Sequence, residues 1–368
     1  MYFRALAVAA LLAPSLGCFV DNGADKPDSV TTTGATTTTA TTATTAAPTT
    51  GLVDSSTTTG TTDPGTSLAD TDLDPTTADD TTGVAPESCW DQGADGWPLK
   101  GTPLVDFKIE PSDPYLTPDG LDLYYLGVSD HRPYRSTRGS RLDPFPGGKI
   151  LNQWNTLGDV AISHPIVLLT GDLLLLSIES DIHYATRTPD VDEQFSLPSP
   201  LPGVVNSDLQ DTYPTATADG LLLIVQRNDG PPIGKLPYSF TFHQFTRASA
   251  DLDVTFDGDQ DVTPQLPPNN YASCPTLSPD GLHLFYTSNE RPEIDFSLPG
   301  DFAVYYTRRD TRGAPWNPPT KLPGVVGGDS IACVTSVTAD GCTLAYYTGN
   351  VLLLMPTGLF IADRAASP

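Results

Sequence analysis

The chain has 368 residues, with 36 prolines, 31 glycines and a formal net charge of −26 at pH 7. Such an acidic chain argues against nucleic acid as a partner, because binding to phosphates requires clustered lysine and arginine. The first quarter is too biased in composition to fold, which leaves about 270 residues for one globular unit. Abundant turn formers and few helix-forming stretches predict an all-β fold.

The N-terminus, residues 1–17, is typical of an export signal. Arg4 precedes an apolar run over residues 5–13, which is too short to anchor the chain across a bilayer. The ending Ser-Leu-Gly-Cys resembles the bacterial lipobox, which implies that Cys18 is lipidated and becomes the new N-terminus. We therefore expect an outer-membrane or cell-surface lipoprotein that contacts the membrane through its lipid alone. A conventional periplasmic or secreted protein is the alternative.

The linker that follows, residues 18–90, consists mostly of Thr, Ala, Gly, Ser and Asp between residues 25 and 86. Nothing in it can bury enough apolar surface to offset the entropy of the chain, so we expect a disordered spacer. Its Thr and Ser content is also typical of O-glycosylated stalks, and an unmodified linker is equally compatible with it.

Four cysteines remain once Cys18 is set aside: Cys89, Cys274, Cys333 and Cys342. An even number in an oxidising compartment predicts two disulfides, with three possible connectivities. Cys342 should face Val337 across its turn, which disfavours a bond to Cys333. Matching positions in successive repeats favour Cys274–Cys333, and hence Cys89–Cys342.

A short phrase recurs along the chain and decides its architecture. Its copies occupy residues 114–120, 165–172, 214–220, 275–281 and 334–341, each followed by an apolar run. Asp-Gly favours a tight turn, because Gly tolerates positive φ and Asp can bond its own backbone. The repeat therefore predicts five hairpins, with structural roles for the turn carboxylates of Asp119, Asp219, Asp280 and Asp340.

Each hairpin is followed by two further predicted strands. The third strand ends in an arginine, for which we expect a structural role such as an inter-blade ion pair, with ligand binding by one of them as the alternative: Arg138, Arg187, Arg247, Arg308 and Arg364. An aromatic residue then begins the fourth strand in four copies. No such strand follows Arg364, but residues 97–107 can supply it. The pattern predicts a five-bladed β-propeller over residues 95–368, closed by an N-terminal strand; six blades are the alternative.

The third complete copy of the phrase, residues 275–281, reads Pro-Thr-Leu-Ser-Pro-Asp-Gly, and residues 114–120 are nearly the same. This phrase resembles the hallmark of the TolB-type, WD-like β-propeller repeat. The resemblance covers residues 95–365. It implies the propeller fold and an envelope-associated, protein-binding role, although propellers carry many unrelated activities.

One acidic segment is a candidate metal site. Asp257, Asp259 and Asp261 alternate along the chain, as oxygen ligands do in Ca²⁺ loops, but no downstream Glu completes an EF-hand. A solvated acidic loop without any cofactor is the expected interpretation, with calcium as the alternative. The five histidines lack metal-ligand spacing, and no Gly-x-Ser-x-Gly nucleophile elbow is present.

Two functions from different classes fit the sequence. The first is a non-catalytic, monomeric module that binds a protein, glycan or envelope component. The second is a five-bladed glycosidase, which would need two or three carboxylates on the innermost strands. We place those strands at residues 115–116, 166–167, 215–216, 276–277 and 335–336, which include no acid. The binding module is therefore favoured.

Overall fold

A computed structural model describes the chain from residue 88, with gaps. The described residues are 88–94, 97, 101–104, 111–127, 130, 132–151, 160, 162–168, 171–188, 194–230, 239–251, 253–265, 272–289, 302–323, 330–350 and 355–364. The predicted export signal, Cys18 and most of the predicted linker lie outside these residues.

After a 3₁₀ helix (Cys89–Gln92), twenty strands form five antiparallel four-stranded sheets. Blade 1 contains β2 (Pro111–Leu116), β3 (Asp122–Gly127), β4 (Pro133–Thr137) and β5 (Lys149–Ile150). Blade 2 contains β6 (Ile162–Leu168), β7 (Leu173–Ile178), β8 (Asp181–Thr186) and β9 (Ser199–Pro200). Blade 3 contains β10 (Asp211–Ala216), β11 (Leu222–Gly230), β12 (Ser239–Thr246) and β13 (Asp257–Asp261). Blade 4 contains β14 (Ala272–Leu277), β15 (His283–Asn289), β16 (Phe302–Arg308) and β17 (Thr320–Lys321). Blade 5 contains β18 (Ser330–Val337), β19 (Thr343–Asn350), β20 (Met355–Asp363) and, as its outer strand, β1 (Thr102–Pro103).

The sheets form a closed ring. The first strand of each blade is innermost, and each inner strand contacts the inner strands of both neighbouring blades, with β18 of the last blade against β2 of the first. One apolar cluster fills each of the five interfaces within the described residues. This arrangement confirms the five-bladed prediction over the six-bladed alternative.

The N-terminal chain completes the last blade, as predicted. Thr102 lies opposite Ile361, and the backbone N–H of Leu104 donates to the carbonyl oxygen of Leu359 at 2.8 Å. Strand β1 is only two residues long. Closure leaves β20 without an unpaired edge at this position, which an open array would expose.

The turn carboxylates hold their own hairpins. The Asp340 carboxylate accepts hydrogen bonds from the Thr338 hydroxyl at 2.6 Å and from the backbone N–H of Cys342 at 3.0 Å. The carboxylates of Asp119, Asp219 and Asp280 make the same pair of contacts. Each turn carboxylate therefore accepts a hydrogen bond from a backbone N–H for which so short a connection provides no backbone acceptor.

Two of these carboxylates also join neighbouring blades. Arg141 of blade 1 forms an ion pair with Asp340 of blade 5, and Arg312 of blade 4 forms one with Asp219 of blade 3 at 2.6 Å. At the first of these interfaces, the backbone N–H of Ala339 also donates to the carbonyl oxygen of Pro118 at 2.8 Å. We call this end of the ring, which carries the Asp-Gly turns, the turn end.

The repeat arginines act within their blades rather than as inter-blade ion pairs. Their Nε atoms donate to the carbonyl oxygens of turn glycines, in the pairs Arg138–Gly120, Arg187–Gly171, Arg247–Gly220 and Arg309–Gly281. Each guanidinium also lies over the aromatic residue that follows, at Phe145, Phe195, Phe256 and Trp316. Those aromatics therefore precede the short outer strands instead of beginning them.

The prediction of Arg308 in this role was wrong. Strand β16 runs through Arg308, whose side chain is exposed, and the next residue, Arg309, is buried beneath Trp316. A shift of one residue along a strand moves a side chain to the opposite face. The consecutive arginines of blade 4 therefore differ completely in environment.

The fifth repeat arginine finds its aromatic partner at the other end of the sequence. The Arg364 guanidinium lies 4.3 Å from the centre of the Trp97 ring and donates to the carbonyl oxygens of Cys89 and Gly93. Trp97 is buried and meets Phe285 of blade 4 edge to face. The N-terminal segment thus supplies both the outer strand and the aromatic platform of blade 5.

Two disulfides are present, and they are the pairs that the repeat positions favoured. Cys89 is bonded to Cys342 and Cys274 to Cys333, with Cα–Cα distances of 5.1 and 5.7 Å. The first attaches the 3₁₀ helix to the turn end of blade 5. The second joins the inner strands of blades 4 and 5. Both close long loops, which is where cross-links constrain the unfolded chain most.

Trp90 covers the turn end beside the first disulfide. Its ring stacks on the His283 imidazole at 3.8 Å, and its indole N–H donates to the carbonyl oxygen of Ala339 at 3.0 Å. Burial lowers the pKa of His283 to about 4, so the stacked imidazole is neutral at pH 7. Gly341 has a φ of 69°, and a Cβ there would lie 2.5 Å from the Trp90 ring. The turn glycine therefore makes room for the N-terminal segment.

Ring closure predicts a large effect for one N-terminal side chain. Trp97→Ala should lower the free energy of unfolding by about 3–5 kcal/mol, because it leaves a cavity between the Arg364 guanidinium and Phe285. Urea unfolding followed by circular dichroism measures it. The control is Leu142→Ala, whose side chain is 97% exposed, and which should change stability by less than about 0.5 kcal/mol. Equal stability of the two variants would contradict closure through Trp97.

The inter-blade ion pairs predict a pH-dependent loss of stability. Burial raises the pKa values of Asp340 and Asp219, but the turn hydrogen bonds and the arginines outweigh it and hold both below their ordinary value. Such carboxylates stabilise the fold above the unfolded pKa of about 3.9, and this contribution disappears as pH falls through the folded pKa. Arg141→Gln with Arg312→Gln should therefore cost up to about 1 kcal/mol per bridge at pH 7 and low salt, and less near pH 2.5.

Urea unfolding at both pH values measures this difference. Arg308→Gln is the matched control, because it removes the same charge from an exposed side chain outside the two bridges. A penalty in the double variant that stays the same at low pH would show that the bridges do not act through ionised carboxylates.

Candidate functional site

Four inner strands carry the same irregularity, two residues that have no partner on the second strand. The first residue of each pair is non-glycine with positive φ: Asp113 (47°), His164 (52°), Tyr213 (52°) and Cys274 (54°). The second is always proline, at positions 114, 165, 214 and 275. Proline suits this bulge because it has no N–H to donate to the ladder. Positive φ outside glycine is uncommon, and such strain clusters at functional sites.

The bulges bring polar side chains together on the ring axis. The His164 Nε2 atom lies 3.1 Å from an Asp113 carboxylate oxygen, and the His164 and Tyr213 rings are 3.4 Å apart between centres. The Tyr213 hydroxyl lies 3.3 Å from the Tyr347 hydroxyl. Blades 3 and 5 are not neighbours in the ring, so that contact has to cross the axis. We call Asp113, His164, Tyr213 and Tyr347, with the Cys274–Cys333 disulfide, the axial cluster.

Side chains of neighbouring blades hold the bulges in place. The backbone N–H of Tyr213 donates to the Ser177 hydroxyl at 3.2 Å, and that of Cys274 donates to the Gln226 side-chain oxygen at 2.9 Å. In these two bulges the amide released from its own ladder is thus satisfied by the preceding blade, as buried backbone groups require. The geometry of the cluster therefore depends on the complete ring.

The axial cluster is buried and incompletely paired. Asp113 and His164 are 4% and 7% exposed. Among the described residues, one Asp113 carboxylate oxygen and both His164 ring nitrogens lack a partner with hydrogen-bond geometry. Native proteins rarely leave such groups unpaired, since each costs about 1–3 kcal/mol. Unpaired acceptors and donors on the axis are therefore the main feature that points to a ligand.

The expectation that innermost strands hold no acid was wrong, because these strands begin earlier than we placed them. Strand β2 includes Asp113, and β10 begins at Asp211. The Asp211 carboxylate is fully buried, lies 2.7 Å from Arg227 Nε and also accepts from the Ser207 backbone N–H and hydroxyl. This acid is committed to the ion pair with Arg227, whereas Asp113 keeps one carboxylate oxygen without a hydrogen-bond partner.

Arg227 is the centre of a larger ionic network in blade 3. Its Nη1 atom lies 2.7 Å from Asp259, and His243 lies between Asp259 at 2.5 Å and Asp229 at 3.0 Å. Burial lowers the pKa of Arg227, but its bonds to Asp259 and Asp211 outweigh burial and raise it overall. Buried charges need such partners. The network therefore fastens the outer strand β13 to the two central strands of its blade.

The acidic triplet considered for calcium lies on this outer strand. Asp257 accepts from its neighbour Gly258, Asp259 belongs to the Arg227 network, and Asp261 accepts from the Thr263 backbone N–H. Alternate spacing here follows from the two-residue period of a β-strand. Within the part of the chain that the structure describes, no group of three or more His, Cys, Asp or Glu side chains is placed to hold a metal ion. Calcium binding stays an untested prediction.

The axial cluster holds the parts of an acid–base pair without an obvious nucleophile. Asp113 lies where it can orient the His164 imidazole. The neighbouring Cys274 is in a disulfide, and Tyr213 packs its ring against the imidazole. Thiolate chemistry is therefore blocked while the disulfide is intact. The arrangement suits recognition of a polar group better than covalent catalysis.

The axial cluster was not predicted from the sequence, although the sequence contains a signal for it. The residue before each repeat proline differs in every copy, being Asp113, His164, Tyr213 and Cys274. A position that varies in chemistry inside a conserved internal repeat indicates specialisation of each blade.

Among the described residues, no helix is long and apolar enough to cross a membrane.

Comparisons with known proteins give only distant similarities to solved structures. No protein-family model and no curated protein matches the sequence. A protein assigned provisionally as TolB from Agrobacterium tumefaciens has a TM-score of 0.38 and 13% identity, over 67% of this chain and 73% of that chain. TolB from Acinetobacter baumannii has a TM-score of 0.36 and 14% identity, over 72% of this chain and 56% of that chain. A thermostable family-43 glycoside hydrolase has a TM-score of 0.46 and 14% identity, over 73% of this chain and 93% of that chain. Likenesses at these identities and TM-scores carry no assignment of function.

Proposed function

We propose that this chain is a non-catalytic, envelope-displayed binding module that recognises a protein, glycan or envelope component around the axial cluster. The observation that carries the proposal is the buried, unpaired polar chemistry of Asp113 and His164 at the centre of a five-bladed ring. Propellers place their ligand sites on this axis, where all blades contribute side chains.

The position of the N-terminal segment favours ligand binding at one end of the ring, the end opposite the turns. Cys89 is bonded to Cys342 and its backbone N–H donates to the Asp340 carbonyl oxygen, so the chain enters the propeller at the turn end. We propose that Cys18 carries a lipid and that residues 18–87 form the tether. The opposite end, where the inner strands begin, is then the end to which no tether is attached.

The glycosidase alternative receives less support. Hydrolysis needs two carboxylates about 5–10 Å apart, one as acid and the other as nucleophile or base. Asp113 is one axial carboxylate, but the Asp211 side chain is neutralised by Arg227. Within the described strands, the second carboxylate is therefore not available in the form that the reaction needs.

A binding screen with variants at each end of the ring tests the proposal. Val204 and Leu209 are 49% and 43% exposed on the connection that precedes β10, at the end opposite the turns. Full-length protein is screened against a glycan array, peptidoglycan fragments, lipopolysaccharide and outer-membrane vesicles. Val204→Arg with Leu209→Arg should weaken the binding that is found by about tenfold or more, because a rim charge meets the ligand.

Leu142→Arg is the matched control, since this exposed leucine lies at the turn end beside Arg141. It should leave the affinity unchanged. Loss of binding in the control alone would assign recognition to the turn end, and no binding to any component of the panel would also contradict the proposal. If the protein releases reducing sugar from a glycan and Asp113→Asn abolishes that release, the glycosidase alternative would be favoured.

A further inference from the structure

A second concave site lies between the outer parts of blades 3 and 4, away from the axis. It is a cavity of about 350 Å³. Blade 3 lines it with Gln244, Gln260 and Asp261, and blade 4 with Arg309, Arg312 and Trp316. Two guanidinium groups in one cavity stand out in a chain whose net charge is −26. The volume lies at the small end of the range for small-molecule sites.

Blades 1 and 4 share a motif that places this arginine pair. Residues 138–145 and 309–316 both read Arg-x-Ser/Thr-Arg-x-x-Pro-aromatic. The backbone turns match as well, since the N–H of Asp143 donates to Ser140 at 3.1 Å and the N–H of Ala314 donates to Thr311 at 3.0 Å. The two connections therefore form comparable grooves, and their differing residues can be compared directly.

The two grooves differ in charge. The groove beside blade 1 is lined by Arg138 and Arg141 but also by Asp143 and Asp363, so its arginines face two carboxylates. In the groove beside blade 4, Ala314 occupies the position of Asp143. Arg312 is already paired with Asp219, as Arg141 is with Asp340 in the other groove. The difference therefore lies at the remaining arginine, because Arg138 shares its groove with two further carboxylates and Arg309 shares its groove with Asp261 alone. The groove between blades 3 and 4 is accordingly the one suited to an anion.

Arg309 is buried and keeps one donor group unpaired. The residue is 4% exposed. Its Nε donates to the Gly281 carbonyl oxygen and its Nη1 to the Gln244 side-chain oxygen at 2.7 Å, whereas Nη2 has no hydrogen-bond partner. The Trp316 indole N–H is likewise buried without a partner. Burial, together with the charge of Arg312, lowers the pKa of Arg309 to about 10, so the buried group is still charged at pH 7. A buried cation with an unpartnered donor is stabilised by a negative charge nearby.

We propose that this groove binds a monosaccharide-sized sugar acid, with its carboxylate on Arg309. Guanidinium groups match carboxylates in charge and in planar geometry. The Gln244 side-chain oxygen is taken by Arg309, which leaves its amide nitrogen as a donor for sugar hydroxyls. The Gln260 amide can both donate and accept, and Asp261 adds an acceptor. The site lies on the outer part of the ring and is independent of the function proposed for the axial cluster.

Isothermal titration calorimetry of the full-length protein with glucuronate and with glucose tests the carboxylate requirement. We expect glucuronate to bind with a Kd of about 1 mM or tighter, and glucose to bind at least about tenfold more weakly. Ala314→Asp introduces the carboxylate that blade 1 has at this position. It should weaken glucuronate binding by about tenfold or more while leaving the thermal midpoint unchanged, because Asp143 already occupies the equivalent turn.

Asp143→Ala is the matched control, because it changes the same kind of residue in the other groove. It should leave glucuronate affinity within about twofold of the unmodified protein. Glucose binding as tight as glucuronate, unchanged affinity in Ala314→Asp, or no glucuronate binding at tens of millimolar would each overturn the proposal. None of these results bears on the axial cluster, which the end-specific variants test separately.

Discussion

The whole structure depends on how the two ends of the folded chain meet in blade 5. The pairing of β1 with β20 and the packing of Arg364 on Trp97 join residues that are more than 250 positions apart. Every blade buries its faces against its neighbours, so a gap at one interface would expose apolar surface and a strand edge. The Cys89–Cys342 bond strengthens the same junction by limiting how far the N-terminal segment can separate from it.

The axial cluster exists because the ring is closed. Asp113, His164 and Tyr213 belong to three successive blades, and the Tyr213–Tyr347 contact joins blades 3 and 5, which are not neighbours in the ring. The strained backbone at Tyr213 and Cys274 persists because the preceding blade satisfies the released amide, through Ser177 and Gln226 respectively. The geometry of the polar groups at the centre is therefore supported by packing at the periphery. The turn end carries the attachment of the N-terminal segment.

Most of the fold could be predicted from short repeats in the sequence. The axial cluster could not, for a physical reason. Three short-range or periodic signals predicted the observed blades: the Asp-Gly turns, the third-strand arginines and the missing fourth strand after Arg364. Arg308 was chosen over Arg309 because spacing alone cannot tell which of two adjacent residues faces inward. Asp113 and His164 meet only through the curvature of the ring, and the bulge that turns them to the axis has no signature beyond a following proline.

Hydrogen exchange at Leu104 tests ring closure most directly. Its backbone N–H donates to Leu359 across the junction of the two chain ends, and no other strand lies between them. In native-state exchange followed by NMR, this amide should be protected to nearly the same degree as Ala345 in the neighbouring strand β19, because both open only when the ring opens. Exchange of Leu104 at the rate of an unstructured peptide, with Ala345 still protected, would show that the N-terminal strand does not close the propeller.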